Sequence, residues 1–308
     1  MALRTVLFLI TNLAVVATIS VILWLLMAIG WLPADMPLVP LLLGCFAWGV
    51  LGSWISLQLS AQSAKRMMGV QIVNENPQPA ARWLVDTVQE LARKADLPMP
   101  EVGVYGSPEW NAFATGPSPQ RALVAVSSGI LEGMPPAELE AVLAHEMSHV
   151  GNGDMVTMTL LQGVINAFVM FLARAVALLL PRGSSQDGRQ PPPAYALVWP
   201  LEVALGLAGS MVTAGFSRYR EFRADAGSAR LTSADAMMGA LQRLGQASGR
   251  IDPREAGMLA SFKIAGRPDF LGLLATHPPL EKRIEALRTA QLQGSGSGGL
   301  FGSSRARA

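Results

Sequence analysis

Two histidines four residues apart, with a glutamate beside the first, are the residues of this 308-residue chain best suited to chemistry: His145-Glu146-Met147-Ser148-His149. On an α-helix, residues four apart share a face, so both imidazoles can offer a nitrogen to one metal ion while Glu146 stands beside it as a base. That is the arrangement of a zinc hydrolase. A coincidental pair on an amphipathic helix is the competing reading. Histidine economy weighs against it, because the chain holds three histidines and two of them make this pair. A catalytic zinc takes three protein ligands and keeps a fourth position for water. The single cysteine, Cys45, lies in an apolar run without a partner, which leaves His and carboxylate as ligands. With no third histidine at close spacing, Glu221 is the best carboxylate. Asp225 follows it by four on the same face of a predicted helix, where it could accept the outer ring proton of His145 or His149 and fix the tautomer. Spacing alone leaves equally open that Glu221 and Asp225 answer the neighbouring arginines.

The elements that must position these groups are also readable. Pro135 and Pro136 suit a first helical turn, Glu138 and Glu140 complement its positive end, and Gly151 and Gly153 can end it. Residues 79–95 place Leu84, Val88, Leu91 and Ala95 at the spacing of an amphipathic helix. Residues 101–105 and 122–127 are Val-rich runs bounded by Pro and Gly, as strands are. Between them, Asn111, Ala112, Phe113 and Ala114 form a small-residue stretch that suits an edge strand. Residues 233–244 and 279–287 read as further helices, the latter with Leu280, Ile284 and Leu287 on one face.

Composition points to a bilayer. Hydrophobic residues make up 51% and charged residues 15% of the chain, and the mean hydropathy is positive, unlike a water-soluble globule of this size. The net charge of +2, with its basic residues scattered, gives no nucleic-acid surface. Residues 5–34 carry no charge, long enough to cross the ~30 Å hydrocarbon core, and a second uncharged stretch at 36–64 follows a short turn. The first run is too long for a signal peptide and shows no convincing cleavage site. The turn holds Asp35 and no Lys or Arg, whereas Arg4 precedes the hairpin and Lys65, Arg66 and Arg82 follow it, so the positive-inside rule puts both its ends in the cytoplasm.

A second hairpin is expected from 155–180 and 194–217, with the polar loop 181–193 outside. Arg174 interrupts one arm and Glu202 the other, about two turns from that loop, and at such equal depth they are expected to pair rather than snorkel separately. His149 lies six residues before Met155 and Glu221 four after Ser217, which sets the site close to the cytoplasmic membrane face. Glu138, Glu140, Asn152 and Asp154 make the metal helix too polar to lie within lipid, as an intramembrane protease would require. The organisation expected is a transmembrane hairpin (1–64), a catalytic part (65–154), a second hairpin (155–217), a second catalytic part with the third ligand (218–292) and a disordered Gly/Ser tail (293–308).

Taken together, His145-Glu146-Met147-Ser148-His149, Gly151-Asn152-Gly153-Asp154, Glu221-Phe222-Arg223-Ala224-Asp225 and Thr276-His277-Pro278-Pro279 resemble the membrane-bound M48 zinc metalloproteases over nearly the whole chain. The resemblance implies an α+β, mainly helical, gluzincin-type fold with a small β-sheet and four transmembrane helices. It implies one Zn2+ held by His145, His149 and Glu221, with Asp225 behind them, and a zinc endopeptidase in which Glu146 moves the proton. By its likeness to the family's His-Pro-Pro motif, His277 is a candidate oxyanion donor; capping the helix that begins near Pro279 is an equal alternative. Asn111 to Ala114 would receive an extended substrate by strand addition. Expected partners are membrane-protein substrates and the lipid bilayer, with other quality-control proteases beside them, at a bacterial inner membrane. A prenyl-protein-processing protease is a competing reading, disfavoured by only four membrane segments. A non-catalytic zinc scaffold is another, and Glu146 argues against it because a structural site has no use for a base.

Overall fold

A computed structural model describes residues 16–33, 35–75, 79–179, 195–248 and 277–297. Thr276, the loop 181–193, the start of the first apolar run and the tail from 298 lie outside them. The described chain folds as two compact units, one formed by 1–58 and 156–213, the other by 59–155 and 214–308.

The first unit is helical. It contains α1 (Val16–Ala28), most of α2 (Leu38–Met68) and of α6 (Asp154–Leu179), and the first half of α7 (Tyr195–Leu231). α2, α6 and α7 are long and apolar enough to cross a membrane, whereas α1, described only from Val16, is shorter. Val16, Leu38, Leu42, Cys45, Phe171 and Ala175 form its buried centre. Trp24, Trp48, Trp54 and Trp199 remain exposed, as side chains facing lipid would. α2 and α6 approach so closely that a Cβ on Gly49 would lie 2.6 Å from the Gly163 carbonyl oxygen, a spacing only small residues allow. Arg174 donates to Glu202 at 2.5 Å, the expected pairing between α6 and α7.

The second unit is α+β. Its sheet has the order β1 (Gln71–Ile72), β2 (Glu101–Tyr105), β4 (Leu123–Ser127), β3 (Ala112–Thr115). β2 and β4 run parallel in the register Val102 to Val124, and β3 lies antiparallel to β4 at an edge, Phe113 opposite Ala125. Alternation decides the faces. Val102, Val124 and Val126 join Leu84, Val88 and Leu91 of α3 (Pro79–Lys94) and Leu139, Leu143 and Met147 of α5 (Pro136–Asn152) in the main core. Leu123 and Ala125 turn to the other face with Tyr105 and Phe113. α4 (Ser128–Gly133) follows β4 directly, N-capped by Ser127, whose hydroxyl accepts from the Ile130 N–H. α8 (Ala234–Ser248) packs on α5 and α9 (Leu280–Ser297) packs on α8, with Ala141, Met237, Leu241 and Leu287 in one buried cluster.

Three details depart from the expectations. The apolar run ending at Ser217 and the helix carrying Glu221 are one helix of 37 residues, because hydropathy marks where apolar side chains stop and not where backbone hydrogen bonding stops. α9 continues to Ser297, beyond Gly294, since extending a formed helix costs far less than starting one. β1 and α4 had no periodic signal, being two and six residues long.

Candidate metal centre

α5 is built to hold its histidines still. Pro135 and Pro136 start it, and Gly153, in the left-handed region at φ 69°, ends it with its N–H on the carbonyls of His149 and Val150. The helix is buried along Leu139, Leu143, Met147 and Val150, which turns His145 and His149 toward α7. α7 lies directly on it. Ser228 donates its hydroxyl to the Ala141 carbonyl at 2.6 Å, Arg223 donates to the Asn152 side chain at 3.1 Å, and the missing side chain of Gly227 admits Ser148.

This packing brings His145, His149 and Glu221 into one cluster. The two Nε2 atoms are 3.2 Å apart, His149 Nε2 is 3.4 Å from Glu221 Oε1, and His145 Nε2 is 3.6 Å from Glu221 Oε2. Ligands ~2.0–2.1 Å from a tetrahedral metal lie roughly 3.3–3.4 Å from one another, so the spacing is that of a metal site. The chemistry of the donors agrees. His149 Nδ1 is 2.7 Å from Asp154 Oδ2. His145 Nδ1 lies 2.9 Å from Asp225 Oδ1, although the ring N–H is not aimed straight along that contact. Carboxylates at both Nδ1 atoms favour Nδ1–H tautomers, which point two Nε2 lone pairs at each other and at a carboxylate. Three buried acceptors facing one another need a cation between them. Residues and geometry therefore fit a divalent ion.

Without the ion, protons serve. Burial pushes His149 down, but Asp154 and Glu221 outweigh it and hold the ring up at about 9. His145 is raised in the same way by Asp225 and Glu221 against its burial. Burial would raise Glu221, yet contacts with His145, His149 and His277 hold it far below the usual carboxylate range. Glu146 is half-buried and follows His145 directly on α5, and its charge reaches both histidines. His277 Nδ1 lies 2.9 Å from Glu221 Oε2, with two thirds of the side chain exposed. Asn111 precedes β3, and Ala112, Phe113 and Ala114 form its half-buried edge.

Two neighbours of the cluster were given no role at the site by sequence reasoning. Asp154 sits one residue beyond the helix-ending Gly153, and a carboxylate just past a glycine cap after the second histidine is the signal that could have found it. Arg283 of α9 donates to both oxygens of Asp225, at 2.7 and 2.5 Å. Its signal is a basic residue in the first turn of a helix, where the dipole disfavours one.

A His-Glu-x-x-His helix closed by a carboxylate from a second helix, beside a small sheet with a strand at its edge, defines a metalloprotease, and its long apolar helices make it a membrane one. A model of peptidase family M48 matches residues 78–291, and the chain belongs to that family. Protease HtpX of Aeromonas salmonicida is 47% identical over 291 residues, covering 92% of this chain and 99% of that protein. A Protease HtpX homolog of Methylacidiphilum infernorum is 47% identical over 293 residues, covering 92% and 97%. Protease HtpX of Escherichia fergusonii is 44% identical over 296 residues, covering 94% and 98%. The crystal structure of S. mikatae Ste24p shares the fold, with a TM-score of 0.58 at 19% identity, over 92% of this chain and 67% of that one. With bacterial relatives over 92–94% of its length and three long apolar helices among the described residues, the chain is a bacterial membrane protein.

Proposed function

We propose that the chain is a zinc endopeptidase of the bacterial inner membrane that hydrolyses misfolded or damaged membrane proteins at the cytoplasmic face, as part of protein quality control under stress. The observation that carries this reading is the convergence of His145, His149 and Glu221 at 3.2–3.6 Å with Glu146 beside them. Zinc held there would polarise a peptide carbonyl and make a water acidic near neutral pH. Glu146 takes the proton from the attacking water and passes it to the leaving amine. Asp225 and Asp154 keep His145 and His149 oriented as neutral ligands. His277 stands beside Glu221, close to where an oxyanion would develop, and is the candidate donor to it.

Ala112 to Ala114 run along an edge strand, with Asn111 just before it, so an extended substrate can pair with the backbone there with little demand on its side chains. Such tolerance suits degradation. Basic residues at Arg4, Lys65, Arg66 and Arg218 to Arg223 flank the apolar stretches on one side, which supports a cytoplasmic site and cytoplasmic termini. Membrane-protein segments are then the substrates within reach. The organisation into two hairpins alternating with two catalytic parts belongs to the same proposal.

The test is cleavage of casein by the detergent-purified full chain and by Glu146→Ala, with zinc measured in both. Cleavage by the wild type alone, with zinc in both, supports the reading. Zinc in both and cleavage in neither would favour the scaffold alternative.

A further inference from the structure

Arg283 has no place in the reaction as described, yet it is among the most buried charges in the second unit, with a side chain 7% exposed. A buried guanidinium is costly unless its donors are met. Here they are met by the two carboxylates that matter most to the metal centre. Nε and Nη2 form a fork on Asp225, at 2.7 and 2.5 Å, and Nη1 is 3.4 Å from Glu221 Oε2. The planar fork fixes the carboxylate plane as well as its position, which a lysine ammonium could not do.

The consequence falls on Glu221. Its Oε2 is shared by Arg283 and by His277, both reaching from the start of α9, while Oε1 faces His149 at 3.4 Å. Both oxygens thus face the histidine pair, and Oε2, 3.6 Å from His145 Nε2, is in addition held from behind by Arg283 and His277. Asp225, held flat by the same guanidinium, presents Oδ1 to His145. We infer that Arg283 is a positioning residue of the metal centre, a clamp from α9 that sets the orientation of Glu221 and Asp225. Buried behind the two carboxylates, it does not meet substrate.

The inference rests on the metal-site reading above, and the experiment separates the two. Wild type, Arg283→Lys and Arg283→Ala, each full length in detergent, are loaded with Co2+ as a spectroscopic substitute and titrated against a chelator. Thermal midpoints are recorded on the metal-free proteins. Folded variants should bind metal roughly 10–100-fold more weakly, the scale of lost outer-shell partners. Their visible Co2+ bands should change in position or intensity as the released carboxylates turn about the ion. Methylguanidinium should restore part of the affinity to Arg283→Ala and none to Arg283→Lys, whose ammonium fills the space.

Affinity within twofold of wild type and an unchanged Co2+ spectrum in folded variants would overturn the clamp while leaving the metal site standing. Collapse of the metal-free midpoint in both variants would equally overturn it, assigning Arg283 to stability alone. A wild type that binds no metal would sink both readings.

Discussion

Replacing Gly227 with alanine should open the metal centre without touching a ligand. The added Cβ would lie 2.3 Å from Ser148 Oγ and 2.7 Å from Ser148 Cβ. The hydroxyl can rotate away at the expense of its bond to the Ala144 carbonyl. The Cβ cannot, being fixed to the backbone of α5 beside His149. Ordinary carbon contact is ~3.5–4.0 Å, so α5 and α7 must part by about 1 Å at this point. Metal–ligand bonds tolerate about ±0.2 Å, and Glu221 rides on the helix that moves. Overpacking of this kind costs about 1–3 kcal/mol. Relieved by separating the helices, that energy weakens metal binding roughly 5–150-fold. The assay is chelator competition on the detergent-purified variant, with the metal-free thermal midpoint as a folding control. Ser148→Gly on the same background removes both obstructing atoms and should recover most of the loss, less about 1 kcal/mol for a glycine inside a helix. Wild-type affinity in Gly227→Ala, or a loss that Ser148→Gly does not relieve, would refute the reasoning.

Other outcomes follow from the same geometry. Asp154→Asn should weaken metal binding about 10–100-fold, because His149 loses the charge that orients its Nδ1; an affinity within twofold of wild type would rule that role out. Metal affinity should climb with pH up to about 9, tenfold per unit for each ring proton displaced, since the folded His149 holds its proton up to that value. The sign reverses for the metal-free protein: a raised histidine stabilises fully below its unfolded pKa of ~6.5, and that contribution is lost as pH rises through about 9, so its thermal midpoint should fall over that window while metal affinity gains. Arg174→Glu and Glu202→Arg should each lower the thermal midpoint, because an unpaired charge at membrane depth costs roughly 2.5–3.5 kcal/mol on insertion scales, and the double reversal should recover it. No recovery in the double variant would mean that the two charges act independently.

What the sequence made legible has a physical pattern. The histidine pair could be read because a four-residue spacing on one helix is itself a statement about a shared face. α3 could be read because its one buried face writes a period into Leu84, Val88 and Leu91, and the two central strands because they are short Val-rich runs bounded by Pro and Gly, β4 being buried on both faces. Arg174 and Glu202 could be matched because the bilayer gives both the same depth scale. Asp154 could not, since its return to His149 depends on the left-handed turn at Gly153 and no periodicity encodes a reversal. Arg283 was hidden for a different reason. It meets Asp225 across 58 positions of chain, through the docking of α9 on α7, and a single sequence carries no ruler for that distance. The unbroken α7 was missed because Arg218 and Arg220 end the apolar stretch without ending the helix.

The order in which the cluster is spelled along the chain has its own consequence for a nascent polypeptide. His145 and His149 are made first, Glu221 and Asp225 only after all of α6 and most of α7, and Arg283 after α8. At ~5–20 residues per second, the interval from the first ligand to the last support is on the order of ten seconds. Until Glu221 is made, a growing chain carries the histidine pair with no carboxylate to close the cluster, and until Arg283 is made that carboxylate lacks its support. Hydrolytic capacity thus arrives as a late step of biogenesis, which protects both the unfinished chain and its neighbours at the site of synthesis.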